Sequence, residues 1–452
     1  MGFKSLQLLY IQYLTIHMKK IKRHISSIVI FIVFGLVFTA CNDPDDPTLS
    51  DEKQETTDNI NDREDAGNSN NSEEKDDNEK GDNNQGEVVD NTGSVEIASS
   101  FAGGKGTKDD PYQISTIAQL RFFAAECNRG VSYNGKYIVL TADICDNAAV
   151  INEEGFLCTS VDKLRLWKGV GSENKITFEG NFNGQGHSIS GLYNPNDCLF
   201  YKTQYGEISN LTIKDSYYVG LAYSINNGRV TSVINYATAE CGICQITSDT
   251  PFVYCGNYGR CARAGISTRY PSTFVDCFNL GVISDEGIEE LRAGLLSMCA
   301  GLGDICEGNI INCMNGGRID RESGGYGLVR CLRSPKDDIL VNNILGYGPV
   351  TAFGADGSAA LIGIGNKYNH SISYSNIYWL ETACKNWRAD YTEGSFSGDL
   401  LKMDEEYIKS DELLQKLNDN AKKIGPTHCG WKRSRQGYPI LDIVKDPRYS
   451  YD

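Results

Sequence analysis

Histidine is scarce in this chain. Of 452 residues only five are histidine, and just His187, His370 and His428 lie beyond the N-terminal leader. None sits in an H-E-x-x-H arrangement, so the helix-borne zinc site of a metallopeptidase has no support in the sequence. There is no G-x-S-x-G elbow and no glycine-rich phosphate loop, which removes the usual signatures of a serine hydrolase and of a nucleotide-binding enzyme. Basic charge is also short: 43 Lys and Arg stand against 59 Asp and Glu, a formal net charge of -16. A surface of that sign repels phosphate backbones and argues against nucleic acid as a partner. The apolar run at 28–38 is too short for a comfortable membrane span.

What the chain does have is repetition. The stretch I-I-N-C-M-N-G-G-R-I from Ile310 returns in degraded form as V-I-N-Y-A-T-A-E from Val233, F-V-D-C-F-N-L-G-V-I from Phe274 and L-V-N-N-I-L-G-Y-G-P-V from Leu340. Each time a polar residue (Asn235, Asp276, Asn312, Asn342) follows an apolar one, and a small residue comes soon after. Self-similarity at roughly thirty to forty residues marks stacked repeats. Parallel strands wound into a coil need an inward apolar residue, a bend, and another inward residue. Glycine is expected at the bends because it takes positive φ freely, and Asn tolerates the left-handed region better than other side chains. Asn or Asp stacked from coil to coil can also form an amide ladder.

Charge and cysteine are unevenly placed. Residues 42–96 hold nineteen acids and four bases, nearly all of the acidic excess. With almost no large apolar residue, the 41–99 segment cannot bury enough surface to offset its ordering entropy and reads as a disordered acidic tether. Sixteen cysteines are many for this length. Removing Cys41 leaves an odd number, so at least one thiol is unpaired or pairs between molecules. Cys277 and Cys313 fall at matching repeat positions, which favours small buried residues over a disulfide framework.

The folded part opens at Phe101. Thr116 with Gln119 forms a capping-box pattern, and Ile117, Leu120, Ala124 and Cys127 then recur at helical spacing, predicting an N-terminal capping helix over 117–128. Alternation from Gly135 predicts a strand. Near the other end, Ser410 before D-E-L-L-Q-K-L-N predicts a second helix with Leu413, Leu414 and Leu417 facing inward. A strand pair with Trp431, Tyr438, Ile440 and Leu441 is expected to close that end of the stack, because open ends of a solenoid expose unpaired backbone.

Two resemblances follow from these residues. Lys19, Lys20, Lys22 and Arg23, the apolar run, and F-T-A-C ending at Cys41 are similar to a bacterial lipoprotein signal. This implies a signal peptide over 1–40, cleavage before Cys41 and lipid on its thiol, with Met18 as the natural start and 1–17 an upstream extension. Acids directly after it (Asp43, Asp45, Asp46) resemble the export signal of surface-exposed lipoproteins in some Gram-negative bacteria. That implies an outer-membrane lipoprotein facing the cell exterior; a periplasmic spacer is the alternative. The second resemblance rests on the D-P-Y-Q-I opening, K-Y-I-V-L-T-A-D-I, W-K-G-V-G at Trp167, F-E-G-N-F-N-G-Q-G-H-S-I-S-G-L from Phe178 and I-S-N-L-T-I at Ile208. In that order they resemble the bacterial GLUG-motif β-helix proteins, which implies an all-β, right-handed parallel β-helix over 100–395 with a capping region at 396–452. The G-L-x-G pattern itself survives only as G-L-A at Gly220, G-I-S at Gly265, G-L-L at Gly294 and G-L-V at Gly327.

Candidate chemistry is thin. Cys241, Cys244, Cys255 and Cys261 could supply thiolates to zinc, though exported chains more often oxidise or bury such groups, and no metal or other cofactor is expected. His187 reads as a turn residue. The acids Asp285, Glu286, Glu289, Glu290, Asp337 and Asp338 occur in runs that look like solvated loops, so no catalytic residue is assigned. Tyr217, Tyr218, Trp387 and Tyr391 are candidates for stacking on a ligand, whereas Tyr378 and Trp379 are expected to fill a core. The expected function is that of a lipid-anchored surface protein, an adhesin or glycan-binding module whose partners are the outer membrane and an extracellular glycan or host protein. The alternatives are a β-helical polysaccharide lyase or glycoside hydrolase, and a purely structural envelope protein.

Overall fold

The strand Arg229–Asn235 shows how the chain is put together. It pairs in parallel with Glu207–Lys214 before it and with Pro251–Val253 and Gly256–Asn257 after it. Every strand pair within the three large sheets is parallel. The computed structural model describes residues 96–218, 220–271, 273–284, 286, 299–321, 325–332, 338–352, 362–364, 372–383, 396–397 and 400–451. The expected signal peptide, Cys41 and nearly all of the tether lie outside the described residues.

A parallel pair needs a crossover, and here the crossover consists of two further strands. The chain runs through Ala222–Asn226 on a second sheet, Arg229–Asn235 on the first and Thr238–Cys241 on a third, then re-enters the second at Cys244–Ser248. This is a parallel β-helix. Its circuit is 22 residues through Asn235, Asn257 and Asn279, and lengthens to 36 before Asn315. The coils through Asn235 and Asn257 are shorter than the thirty to forty residues expected from the sequence, whereas the later ones, 36 residues to Asn315 and 31 from Asn312 to Asn343, fall within it. The coil through Phe252 escaped notice because Tyr254, not Asn or Asp, stands at its corner.

Inward positions stack in register. Ile138, Phe182, Ile208, Val230, Phe252, Phe274, Ile310 and Val341 form one continuous column, each buried. Beside it run Leu211, Val233, Cys255, Cys277, Cys313 and Ile344, so the matching cysteines do sit as small apolar residues inside the coil. Burying one such Phe or Ile is worth about 1.5–3 kcal/mol, and the columns supply that term coil after coil.

The corners use two separate polar columns. One comprises Asn210, Ser232, Tyr254, Asp276, Asn312, Asn343 and Asn376, all at positive φ between 50° and 60°. The other is a buried amide ladder, in which Asn235 Nδ2 donates to Asn257 Oδ1, Asn257 to Asn279 and Asn279 to Asn315, each at 2.8 Å. Asn235 therefore belongs to a different column from Asp276 and Asn312, contrary to the expected single column, and the corner residue of the next coil is Asn343, not Asn342. Glycine also differs from expectation. Among the described glycines from Gly206 to Gly348 none has positive φ. Instead, a Cβ on Gly259, Gly281 or Gly317 would run into the carbonyl oxygen of Ala237, Gly259 or Gly281 in the preceding coil.

Helix α1, Ile117–Asn128, is capped by Thr116, whose side chain accepts from Gln119 N. The Gln119 side chain reaches back to Ser115 N at 2.8 Å, completing the box one residue early. Leu120, Phe123, Ala124 and Cys127 pack into the main core, with the Phe123 ring 5.5 Å from Phe178 and 6.1 Å from Phe182. At the other end come α2, Glu405–Ile408, and α3, Asp411–Ile424, the latter capped by Ser410. Leu413 and Leu417 of α3 are buried and Leu414 is half-buried. The antiparallel strands Trp431–Arg433 and Pro439–Leu441 follow. The strand pair does not sit over the last coil as expected, since Trp431 Nε1 donates to Asn312 Oδ1 and Leu441 N to Met314 Sδ, in an earlier coil. These elements fold back along the outer side of the first sheet, over Phe278, Met314, Leu345, Tyr347 and Tyr378.

Candidate functional site

The 22-residue circuit puts the residues after two ladder asparagines side by side. Tyr236 follows Asn235 and Tyr258 follows Asn257, and their rings stack at 4.6 Å with planes 19° apart. The returning tail adds Tyr449, whose ring lies 5.8 Å from that of Tyr258 and whose hydroxyl donates to Leu280 O at 3.0 Å. Arg448 lies 5.7–6.0 Å from the centroids of all three rings. Its guanidinium is held by Asp446, with nitrogen to oxygen distances of 2.8–3.1 Å. Burial works to raise the Asp446 carboxyl, but the hydrogen bonds from Arg448 outweigh it and hold that carboxyl below its ordinary range. Burial also pushes the hydroxyls of Tyr236, Tyr258 and Tyr449 upward, so all three remain protonated donors at neutral pH.

One coil position further on, Gly259 and Gly281 leave a floor without side chains, with Ala237 and Gly317 at the matching positions of the flanking coils. The next column is Thr238, Arg260, Val282 and Arg318. Over this side lies the loop at 149–157. Thr238 Oγ1 donates to Gly155 O at 2.6 Å, Arg260 Nε to Glu154 O at 3.0 Å, and Ile151 N to Asp215 Oδ1 at 2.9 Å. Between the tyrosines, the glycine floor and this loop is a groove of about 810 Å³. It combines ring surface with fixed donors and acceptors, the composition that orients a small polar ligand.

The ligand-stacking candidates fare differently. Tyr217 and Tyr218 are only 4% and 7% exposed, packed with Val150, Tyr193 and Ala262 and covered by Ile151, Leu157 and Leu164. A covered ring has no face to offer, so these two are structural. Trp387 and Tyr391 lie outside the described residues, as does His370. Tyr378 and Trp379 fill cores on opposite sides of one strand, as expected of them. Their groove counterparts Tyr236, Tyr258 and Tyr449 were missed. The signal that could have found the first two was N-Y-A and N-Y-G at 22-residue spacing.

The cysteine candidates do not converge on a metal-like geometry. Cys244 is on the second sheet, Cys255 between two strands of the first and Cys261 on the third, all in the main core, with Cys241 also buried. Burial pushes the Cys244 thiol up to about 12 and those of Cys241 and Cys255 well above their ordinary value, which disfavours the thiolates a metal would need. Among the described residues no three His, Cys, Asp or Glu side chains are grouped to hold a metal ion. Cys241, Cys244 and Cys255 are free thiols. Of the acid runs, Glu286 and Asp338 are described and exposed. His187 occupies a turn, its N–H donating to Gly184 O at 2.8 Å after Gln185 and Gly186 at positive φ.

Carboxyls raised by burial lie elsewhere. Asp146 is bound by Arg121 at 2.6 Å, Glu240 faces Arg263 at 2.9 Å, and Asp276 accepts from Asn312 and Cys429. Each is engaged in holding two segments together.

No protein-family model matches the chain, and no curated protein matches it. It is similar to a crystal structure from Bacteroides ovatus described as a "putative immunoglobulin A1 protease", with a TM-score of 0.47 and 16% sequence identity over 77% of this chain and 98% of that one. A likeness of that degree carries no argument about activity.

Proposed function

We propose that the chain is a surface β-helix protein of the GLUG-motif kind, tethered by lipid on Cys41, that binds an extracellular glycan in the tyrosine groove. The observation that carries this reading is the placing of the half-buried Tyr236 and Tyr449 rings beside the Arg448–Asp446 pair. Planar rings cover the apolar faces of a sugar, while a fixed guanidinium and carboxylate meet its hydroxyls. Tyr236 sits at a coil corner, Tyr449 is pinned by its hydroxyl to Leu280 O and Arg448 by Asp446, so little side-chain entropy is lost on binding.

The test is a glycan array probed with the full-length chain in detergent. The reading expects a defined set of bound glycans, with Tyr449→Ala and Arg448→Ala each weakening the interaction about tenfold or more, as loss of a stacking or charged contact should. A blank array would end the glycan reading, and binding to host matrix proteins alone would replace it with a protein-directed adhesin. The anchor has a separate check: palmitate labelling in cells is expected for the natural chain and should vanish in Cys41→Ala. Label that persists in the variant would refute lipid attachment at that thiol.

A further inference from the structure

On the side of the groove away from the tyrosines, Arg260 is 6% exposed. Its Nε is committed to Glu154 O, and its guanidinium plane lies 4.2 Å from the Phe156 ring centroid. Its Nη1 is buried and has no hydrogen-bond partner. Leaving a buried donor unpaired is costly, and most buried polar groups avoid that cost. Arg318 stands two coils along in the same register column, half exposed, with Asp320 at a loose 3.9 Å. Two cationic side chains thus edge one cavity with hydrogen-bonding capacity unspent.

We infer that the groove takes a sugar bearing a single anionic group, a carboxylate or a sulfate, seated against Arg260 and Arg318 while the ring lies toward Tyr236 and Tyr449. This rests on the glycan reading above and adds the class of sugar. A planar fork of N–H donors matches such oxyanions better than it matches neutral hydroxyls. The acids nearby limit the charge that can enter. Glu153, Glu154 and Asp215 line the groove, and the negative charges of Glu286 and Asp320 act on Arg260. One anionic group is therefore accommodated and a densely charged polymer is repelled.

The experiment titrates three disaccharides of one backbone into the full-length chain in detergent and follows intrinsic fluorescence. One ends in glucuronic acid, one in 6-O-sulfated glucose and one in plain glucose. The inference expects one or both charged forms to bind at least tenfold more tightly than the plain one, with the advantage shrinking as salt is added. Arg318→Gln, at an exposed position, should bring the affinity for the charged form close to that for the plain one. Arg260→Gln should do the same, checked for folding by circular dichroism. Equal binding of all three would overturn the anionic preference alone and leave the glycan reading standing. Binding of none, at concentrations where glycans active on the array bind, would overturn the preference too, and a blank array would remove both.

Discussion

Asn257 and Gly281 carry the logic of the coil at the level of single residues. The Asn257 amide donates both to Asn279 Oδ1 at 2.8 Å and to Gly259 O at 3.0 Å, and its own Oδ1 accepts from Asn235 and from Gly259 N. Asn257→Ala would leave buried groups in three successive coils unsatisfied. A loss of about 3 kcal/mol is expected, seen as a lower urea midpoint, and a loss under about 0.5 kcal/mol would mean that the ladder is incidental. Gly281→Ala places a methyl against the Gly259 carbonyl, so the coils must part there; a cost of about 1–3 kcal/mol is expected by the same measurement. The sequence made the residue types legible but not their posts. Glycine was read as a bend because that is its commonest use, whereas here the bends fall to Asn, Asp, Ser and Tyr, and the absent Cβ serves close contact. Nothing local tells these uses apart, since both depend on which residue lies in the neighbouring coil.

At the level of elements, the helices were the most legible parts. Caps at Thr116 and Ser410 and the apolar spacing behind them are short-range signals, and α1 and α3 begin where those signals place them. Where α3 docks was not legible, because its partner surface is assembled from several distant coils. One joint in that docking is chemically distinctive. His428 Nδ1 lies 3.1 Å from Asp276 Oδ2, while Cys429 N and Sγ both donate to Asp276 Oδ1 at 3.2 Å, with Asn312 donating to the same oxygen. Burial raises the Asp276 carboxyl above its ordinary value, against the lowering effect of these hydrogen bonds. A carboxyl raised in the folded state binds its proton more tightly there than in the unfolded chain. It therefore costs stability progressively as pH climbs from about 4, the unfolded value, through the folded one. Asp276→Asn should remove that contribution. Urea midpoints of the variant, compared with the natural chain at pH 4 and pH 8, are expected to fall less with rising pH; an identical fall in both would show that Asp276 does not titrate differently in the fold.

At the level of the whole molecule, repetition and the length of the later coils were legible, while the 22-residue coils and the companion tail were not. The tail crosses coil after coil. Tyr254 donates its hydroxyl to Thr427 O, Asn312 Nδ2 to Cys429 O at 2.9 Å, Asn343 Nδ2 to Leu417 O at 2.9 Å, and Leu441 N to Met314 Sδ at 3.4 Å. A solenoid held only by adjacent layers can fray one layer at a time, because each layer answers only to its neighbours. Here a brace stitched lengthwise makes layers answer to others several removed from them. Melting should consequently proceed as one sharp event across the spanned layers. A protease cut engineered between α2 and α3 should broaden that event into stages readable by hydrogen exchange, with the outermost layers opening first. If the cut chain melts as sharply as the whole one, the brace is ornament and the column alone supplies the cooperativity.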